Sequence, residues 1–170
     1  MKDKLEIINR VIEWHHTIRK QVKLAEDSIT DQEAMLTMEG TKSDWIPSKP
    51  KILSEQQQKL QQTMSFLGDG LENHFAYEEK VLPPLLGQLF MRALILDHQE
   101  IRKEINEAKQ IVTDIKFEGL SRDELILAEM RIQQAIGSIG NFVEEHATKE
   151  EIILEMVQRA LKDEGGKLNG

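Results

Sequence analysis

The chain has 170 residues and a formal net charge of -8 at pH 7, long enough for one domain with a real core. It contains no cysteine, which excludes disulfides, iron–sulfur clusters and thiol nucleophiles and leaves nitrogen and oxygen as the donors for any metal. The acidic balance opposes binding to nucleic acid or anionic lipid, and no apolar leader or long apolar run occurs, so the expectation is a cytoplasmic protein with no membrane contact.

Aromatic residues make up only 5% of the chain and alternating β-branched runs are scarce, which predicts an all-α protein. Four segments repeat apolar residues at steps of three and four, and together they predict an up-down-up-down four-helix bundle. In the first, Leu5, Ile8, Ile12, His15, Val22 and Ile29 share a stripe that Arg19 and Glu26 interrupt, and the helix is expected to fade in the high thirties. Residues 39–52, with Gly40, Pro47 and Pro50, form the predicted connection, and Ser54 with the glutamine-rich run after it opens the second helix. The second stripe runs from Leu53 and Gln57 through Leu60, Met64, Leu67, Leu71, His74 and Glu78 to Val81 and Leu85, where Pro83 and Pro84 should stop or kink the helix.

The third helix carries Met91, Leu94, His98, Ile101, Ile105, Ala108, Val112 and Ile115 and should end before Gly119. Ser121 and Glu124 have the spacing of a capping box. The fourth stripe follows as Leu125, Ala128, Ile132, Ala135, Ile139, Phe142, His146, Ile153 and Val157. A single domain is expected over 1–164, with 165–170 a frayed tail. Gly68, Gly70, Gly137 and Gly140 precede the histidines of helices two and four; they either leave room beside a site or bend the helix, at a modest cost in helix propensity.

A lone histidine on an apolar face is most simply a hydrogen-bonded core residue. Here each helix places one on its core stripe: His15 and His98 near the starts of odd helices, His74 and His146 late in even ones. In an up-down-up-down bundle those positions fall at one end, so all four meet in one layer. Glu78 follows His74 and Glu150 follows His146 by one turn on the same face. Four imidazoles and two carboxylates inside a bundle demand a compensating charge, and a cation is the simplest one. The donor set suits iron, manganese or zinc, and carboxylates on opposite helices favour two ions over one.

An internal echo supports this reading: His15-His-Thr-Ile-Arg-Lys parallels His98-Gln-Glu-Ile-Arg-Lys, and His74-Phe-Ala-Tyr-Glu-Glu parallels His146-Ala-Thr-Lys-Glu-Glu. The chain reads as a duplicated helical hairpin. The echo selects His15 over His16, which falls about 100° away around the helix and should be on the surface. Glu79 and Glu151 are expected to support the ligands from behind or to face solvent, and Tyr77 to pack.

The pattern H…HxxxE…H…HxxxE, covering about residues 5–160, resembles the hemerythrin-like (HHE cation-binding) domain family. The resemblance implies a non-haem di-iron centre, ferrous or ferric, with an oxo or hydroxo bridge as one form and zinc or manganese as substitutes, held by His15, His74, Glu78, His98, His146 and Glu150. Oxygen-carrying members have a second histidine one turn after the first on helix three, where this chain has Arg102. That departure points away from reversible oxygen carriage, toward binding or sensing of dioxygen, nitric oxide or iron. An enzyme acting on dioxygen, peroxide or nitric oxide, or serving in iron–sulfur cluster repair, is the alternative, and a helical interaction protein is the third reading. Nothing in the sequence sets the oligomeric state.

Overall fold

The computed structural model describes residues 2–40, 50–116 and 119–167, and within them the side chains of 3–28, 55, 57–116, 119–121 and 123–164. Four helices follow in order: α1 Lys2–Gly40, α2 Pro50–Val81, α3 Pro83–Asp114 and α4 Arg122–Lys167. Each packs chiefly on its two neighbours around the ring, α1 on α2 and α4, α3 on α2 and α4. The architecture is the all-α, up-down-up-down bundle expected. Helix α1 continues to Gly40 and α2 already begins at Pro50, ahead of Ser54; most of the connection predicted at 39–52 lies outside the described residues.

The prolines divide α2 from α3 as their chemistry requires, since neither offers a backbone N–H to continue α2. The Leu82 N–H still donates to the Glu78 carbonyl at 2.9 Å, and Leu85 and Leu86 then donate back to Leu82 at 2.8 and 3.0 Å. Pro83 and Pro84 occupy the first helical positions of α3, where a missing N–H costs little. Gly87, with φ 76°, interrupts α3 soon after its start. Leu85 therefore belongs to this turn rather than ending the α2 stripe. Gly119 takes φ 81° between α3 and α4. The capping box forms: the Ser121 N–H donates to Glu124 Oε2 at 2.8 Å, and the Glu124 N–H points back to Ser121 Oγ at 3.4 Å.

The interior consists of two apolar clusters. The larger includes Ile18, Val22, Leu67, Leu71, Ile101, Ile105, Ile136 and Ile139; the smaller gathers Ile8, Val11, Leu82, Met91, Leu94 and Leu154 around the opposite end. Between them lies a buried polar layer of His15, His74, Glu78, His98, His146 and Glu150. The α2 and α3 stripes match expectation from Leu60 to Glu78 and from Met91 to Val112. The α1 stripe instead runs Ile8, Val11, His15, Ile18, Val22, Ala25, so Arg19 does not interrupt it. In α4, Ile136, Val143 and Leu154 are buried, whereas Ala135, Phe142 and Ile153 are only partly covered.

The glycines make room, but not beside the histidines. A Cβ on Gly68 would meet the Lys109 ammonium at 2.6 Å, on Gly70 the Gln21 side chain at 2.7 Å and on Gly140 Glu26 at 2.9 Å; a Cβ on Gly137 meets nothing. Gly68, Gly70 and Gly140 accommodate long polar side chains from adjacent helices. Among the described residues, no helix is long and apolar enough to cross a membrane.

Stability should follow this layout. Leu71→Ala, in the larger cluster directly beside His74, is expected to lower unfolding free energy by about 2–5 kcal/mol, and Ser121→Ala by about 1 kcal/mol. Urea denaturation of the two variants checks the order; equal losses would contradict it.

Candidate metal centre

The layer is built by register. In α1, His15 follows Val11 and precedes Ile18 on the buried face; in α3, His98 stands likewise between Leu94 and Ile101. In α2 and α4 the one-turn spacing carries both members of each His–Glu pair inward. His15, His74, His98 and His146 are 2%, 1%, 0% and 4% exposed, and Glu78 and Glu150 are fully buried. All the residues expected at the site are thus brought together, and His16 is exposed.

The rings pair off. His15 and His74 have centroids 4.9 Å apart, and His98 and His146 4.8 Å. Glu78 stands between the pairs, with Oε1 at 2.7 Å from His74 Nε2 and 3.4 Å from His15 Nε2, and Oε2 at 3.3 Å from His98 Nε2. Glu150 Oε2 is 3.3 Å from His15 Nε2 and 3.5 Å from His146 Nε2. Close as they are, these approaches lack hydrogen-bond alignment: both oxygens of Glu78 and Glu150 and the Nε2 of every one of the four histidines are buried without a hydrogen-bond partner. Such atoms are costly to leave unpaired. Lone pairs that converge on common points rather than on each other are the arrangement of ligands around a cation. One atom from each of His15, Glu78, His146 and Glu150 lies within 4.8 Å of the others, a two-histidine, two-glutamate cluster able to hold a metal ion.

Residues 6–157 match the Hemerythrin HHE cation binding domain. The chain belongs to that family. No curated protein and no solved structure matches it. The bundle and the buried His/Glu cluster give this hemerythrin-family chain a general capacity to bind metal.

Behind the layer stands an outer ring that sequence reading caught only in part. His15 Nδ1 meets Glu151 Oε1 at 3.1 Å, and His98 Nδ1 meets Glu79 Oε1 at 2.9 Å. Both carboxylates are held in turn by an arginine one turn after the histidine. Arg19 donates to Glu151 at 2.6 Å and grips Glu144 through Nε and Nη2 at 2.6 and 3.1 Å. Arg102 donates to Glu79 at 3.2 Å and grips Glu72 at 2.7 and 3.1 Å. Arg102, at the position where oxygen carriers bear a histidine, thus faces away from the cluster, its guanidinium over the Phe75 ring at 5.2 Å. Phe75 in turn stacks on His98 at 4.1 Å. The arginines sit inside the repeated HxxxR segments, which was the available signal. Tyr77 packs against Trp14, with Arg10 over its ring.

Burial and crowding pull the ionisable groups apart. Burial works against the charge on His15, but Glu150 and Glu78 outweigh it and raise its pKa to about 9. Burial, aided by the other imidazoles, depresses His146 to about 3, and burial also lowers His74. His98 is raised, its burial overcome by Glu78 and Glu79. Glu78 stays well below the usual carboxylate range because three imidazoles override its burial, whereas burial pushes Glu150 up to about 7. Without a cation, protons take up the role of compensating charge.

A metal must displace those protons. At pH 7 His15, raised to about 9, is protonated and Glu150, raised to about 7, is about half so; both must deprotonate to coordinate. Apparent affinity is therefore expected to fall as pH drops, by about tenfold per pH unit for each proton displaced. Competition against a chromophoric chelator from pH 8 to 6 measures this; a flat profile would contradict it.

Proposed function

We propose that this chain is a non-haem di-iron protein with His15, His74, Glu78, His98, His146 and Glu150 as ligands, and that it binds or senses dioxygen, nitric oxide or iron. The observation that carries the reading is the orientation of Glu78. Its Oε1 faces His15 and His74 while its Oε2 faces His98, the disposition of a carboxylate shared between two ions. The two ring pairs, His15 with His74 and His98 with His146, would each face one ion, and each pair has one histidine backed by a carboxylate, Glu151 or Glu79. Iron supplies a cation that exchanges electrons and accepts small ligands. His15, His74, His98 and His146 with Glu78 and Glu150 would hold the ions, and six side chains for two ions would leave room for a diatomic ligand or peroxide.

The two apolar clusters keep bulk water from the layer, while Glu79 and Glu151 hold the rings of His98 and His15 with Nε2 turned inward. Binding is favoured over turnover because the nearby proton sources are otherwise engaged: Glu79 pairs with His98 and Arg102, and the Tyr77 ring packs against Trp14 beneath Arg10. A second reading, one ion held by His15, Glu78, His146 and Glu150, has the compactness of that cluster in its favour.

Elemental analysis and optical spectroscopy of the aerobically purified chain decide between them. Two irons with near-ultraviolet absorption, both lost in the double variant His74→Ala, Glu78→Ala, are expected. One iron would select the single-ion reading, and failure to take up iron after anaerobic reconstitution would sink the di-iron proposal.

A further inference from the structure

The sequence repeat pairs Trp14 with Asp97, each preceding the odd-helix histidine, and Tyr77 with Lys149, each three residues after the even-helix histidine. At these positions the two halves diverge. On one side the tilted rings of Trp14 and Tyr77 pack at 5.2 Å under Arg10, and the Trp14 ring lies 5.4 Å from that of His74. On the other, Asp97 Oδ2 stands 3.7 Å from His146 Nδ1 and 3.9 Å from Lys149 Nζ.

The outward-facing nitrogens of the four histidines therefore have unequal support. His15 and His98 are backed by Glu151 and Glu79 at hydrogen-bond distance. His146 has Asp97 within ion-pair reach. The Nδ1 atoms of His74 and His146 are both buried without a hydrogen-bond partner; what separates them is the neighbour within reach, a carboxylate at 3.7 Å for His146 and, for His74, an indole that has only a donor to offer and cannot accept an imidazole proton. A carboxylate behind a ligating imidazole keeps the proton on the outer nitrogen, fixes the ring and strengthens it as a donor.

We propose that Asp97 is a positioning residue that makes the two metal positions unequal: the one held by His98 and His146 is tight, and the one held by His15 and His74, covered by Trp14, is weak. The inference rests on the two-ion reading above. Asp97 is the adjustable member of the set. No arginine in the described structure fixes it as Arg19 and Arg102 fix Glu151 and Glu79; its side chain is 37% exposed, and Lys149, itself 2.8 Å from Glu145, draws on the same oxygen. Closing the 3.7 Å gap to a hydrogen bond needs only a small movement of a surface side chain.

The test is titration of the chelator-treated full chain with Co2+ against a competing chelator. The wild type should bind two equivalents in steps separated by about 10- to 100-fold in affinity. Asp97→Asn should weaken the first step by a similar factor and leave the second, with the thermal stability of the metal-free chain unchanged. Asp97→Glu should restore the first step, and Lys149→Ala should leave it at least as tight. In a Trp45→Phe background, which removes the other tryptophan, Trp14 fluorescence should be quenched mainly in the second step. Unchanged steps in Asp97→Asn, or quenching confined to the first step, would overturn the proposal. Two equal equivalents in the wild type would overturn the inequality and leave the two-ion reading standing; a single equivalent would overturn both.

Discussion

Ionisable groups withdrawn from water into one layer set the terms for the rest of this molecule. Four imidazoles and two carboxylates cannot all hold their ordinary charges at that depth, because desolvation penalises each ion while neighbours alternately favour and oppose it. His15 is pushed up to about 9 and His146 down to about 3 within the same few ångströms. The bundle keeps them there through the apolar clusters on either side, whose burial offsets the cost of the polar layer. A cation satisfies the converging lone pairs together, which pairwise contacts among them do not.

The outer ring extends that logic toward the surface. Each arginine bonds one carboxylate at the histidine and a second further out, so charge alternates from the layer to solvent. Paired contacts of planar guanidinium and carboxylate fix direction as well as charge, and partly exposed ion pairs contribute little stability on their own. Their value here is positional: Glu151 and Glu79 are held where they can aim His15 and His98 inward. Among the described residues no arginine anchors Asp97 in this way, and Trp14 is no acceptor, so the repeated halves are not equivalent around the cluster.

Much of the architecture was legible because helix periodicity and depth are properties of sequence. The α3 stripe is legible from Met91 to Val112, with Ile115 falling just past the helix end, the capping box at Ser121 is explicit, and Pro83 and Pro84 mark the end of α2. The inward residues at the layer followed from one histidine per helix and the one-turn spacing of Glu78 and Glu150. Where two apolar candidates adjoin, as with Ile12 beside Val11 or Phe142 beside Val143, periodicity alone chose poorly. A helix face is wide enough for either residue, and only the neighbouring helix settles which is covered.

The sequence by itself determined the fold class, the depth of the polar layer and the identity of the buried donors, because each depends on spacing along a single helix or on the order of helices. Tertiary structure decided what spacing cannot carry: that Glu78 faces both histidine pairs, that Arg19 and Arg102 turn outward to Glu144 and Glu72, and that Asp97 and Trp14 approach His146 and His74. Those contacts join side chains from different helices, and their geometry is set by the rotation and offset of packed helices, which no local pattern encodes.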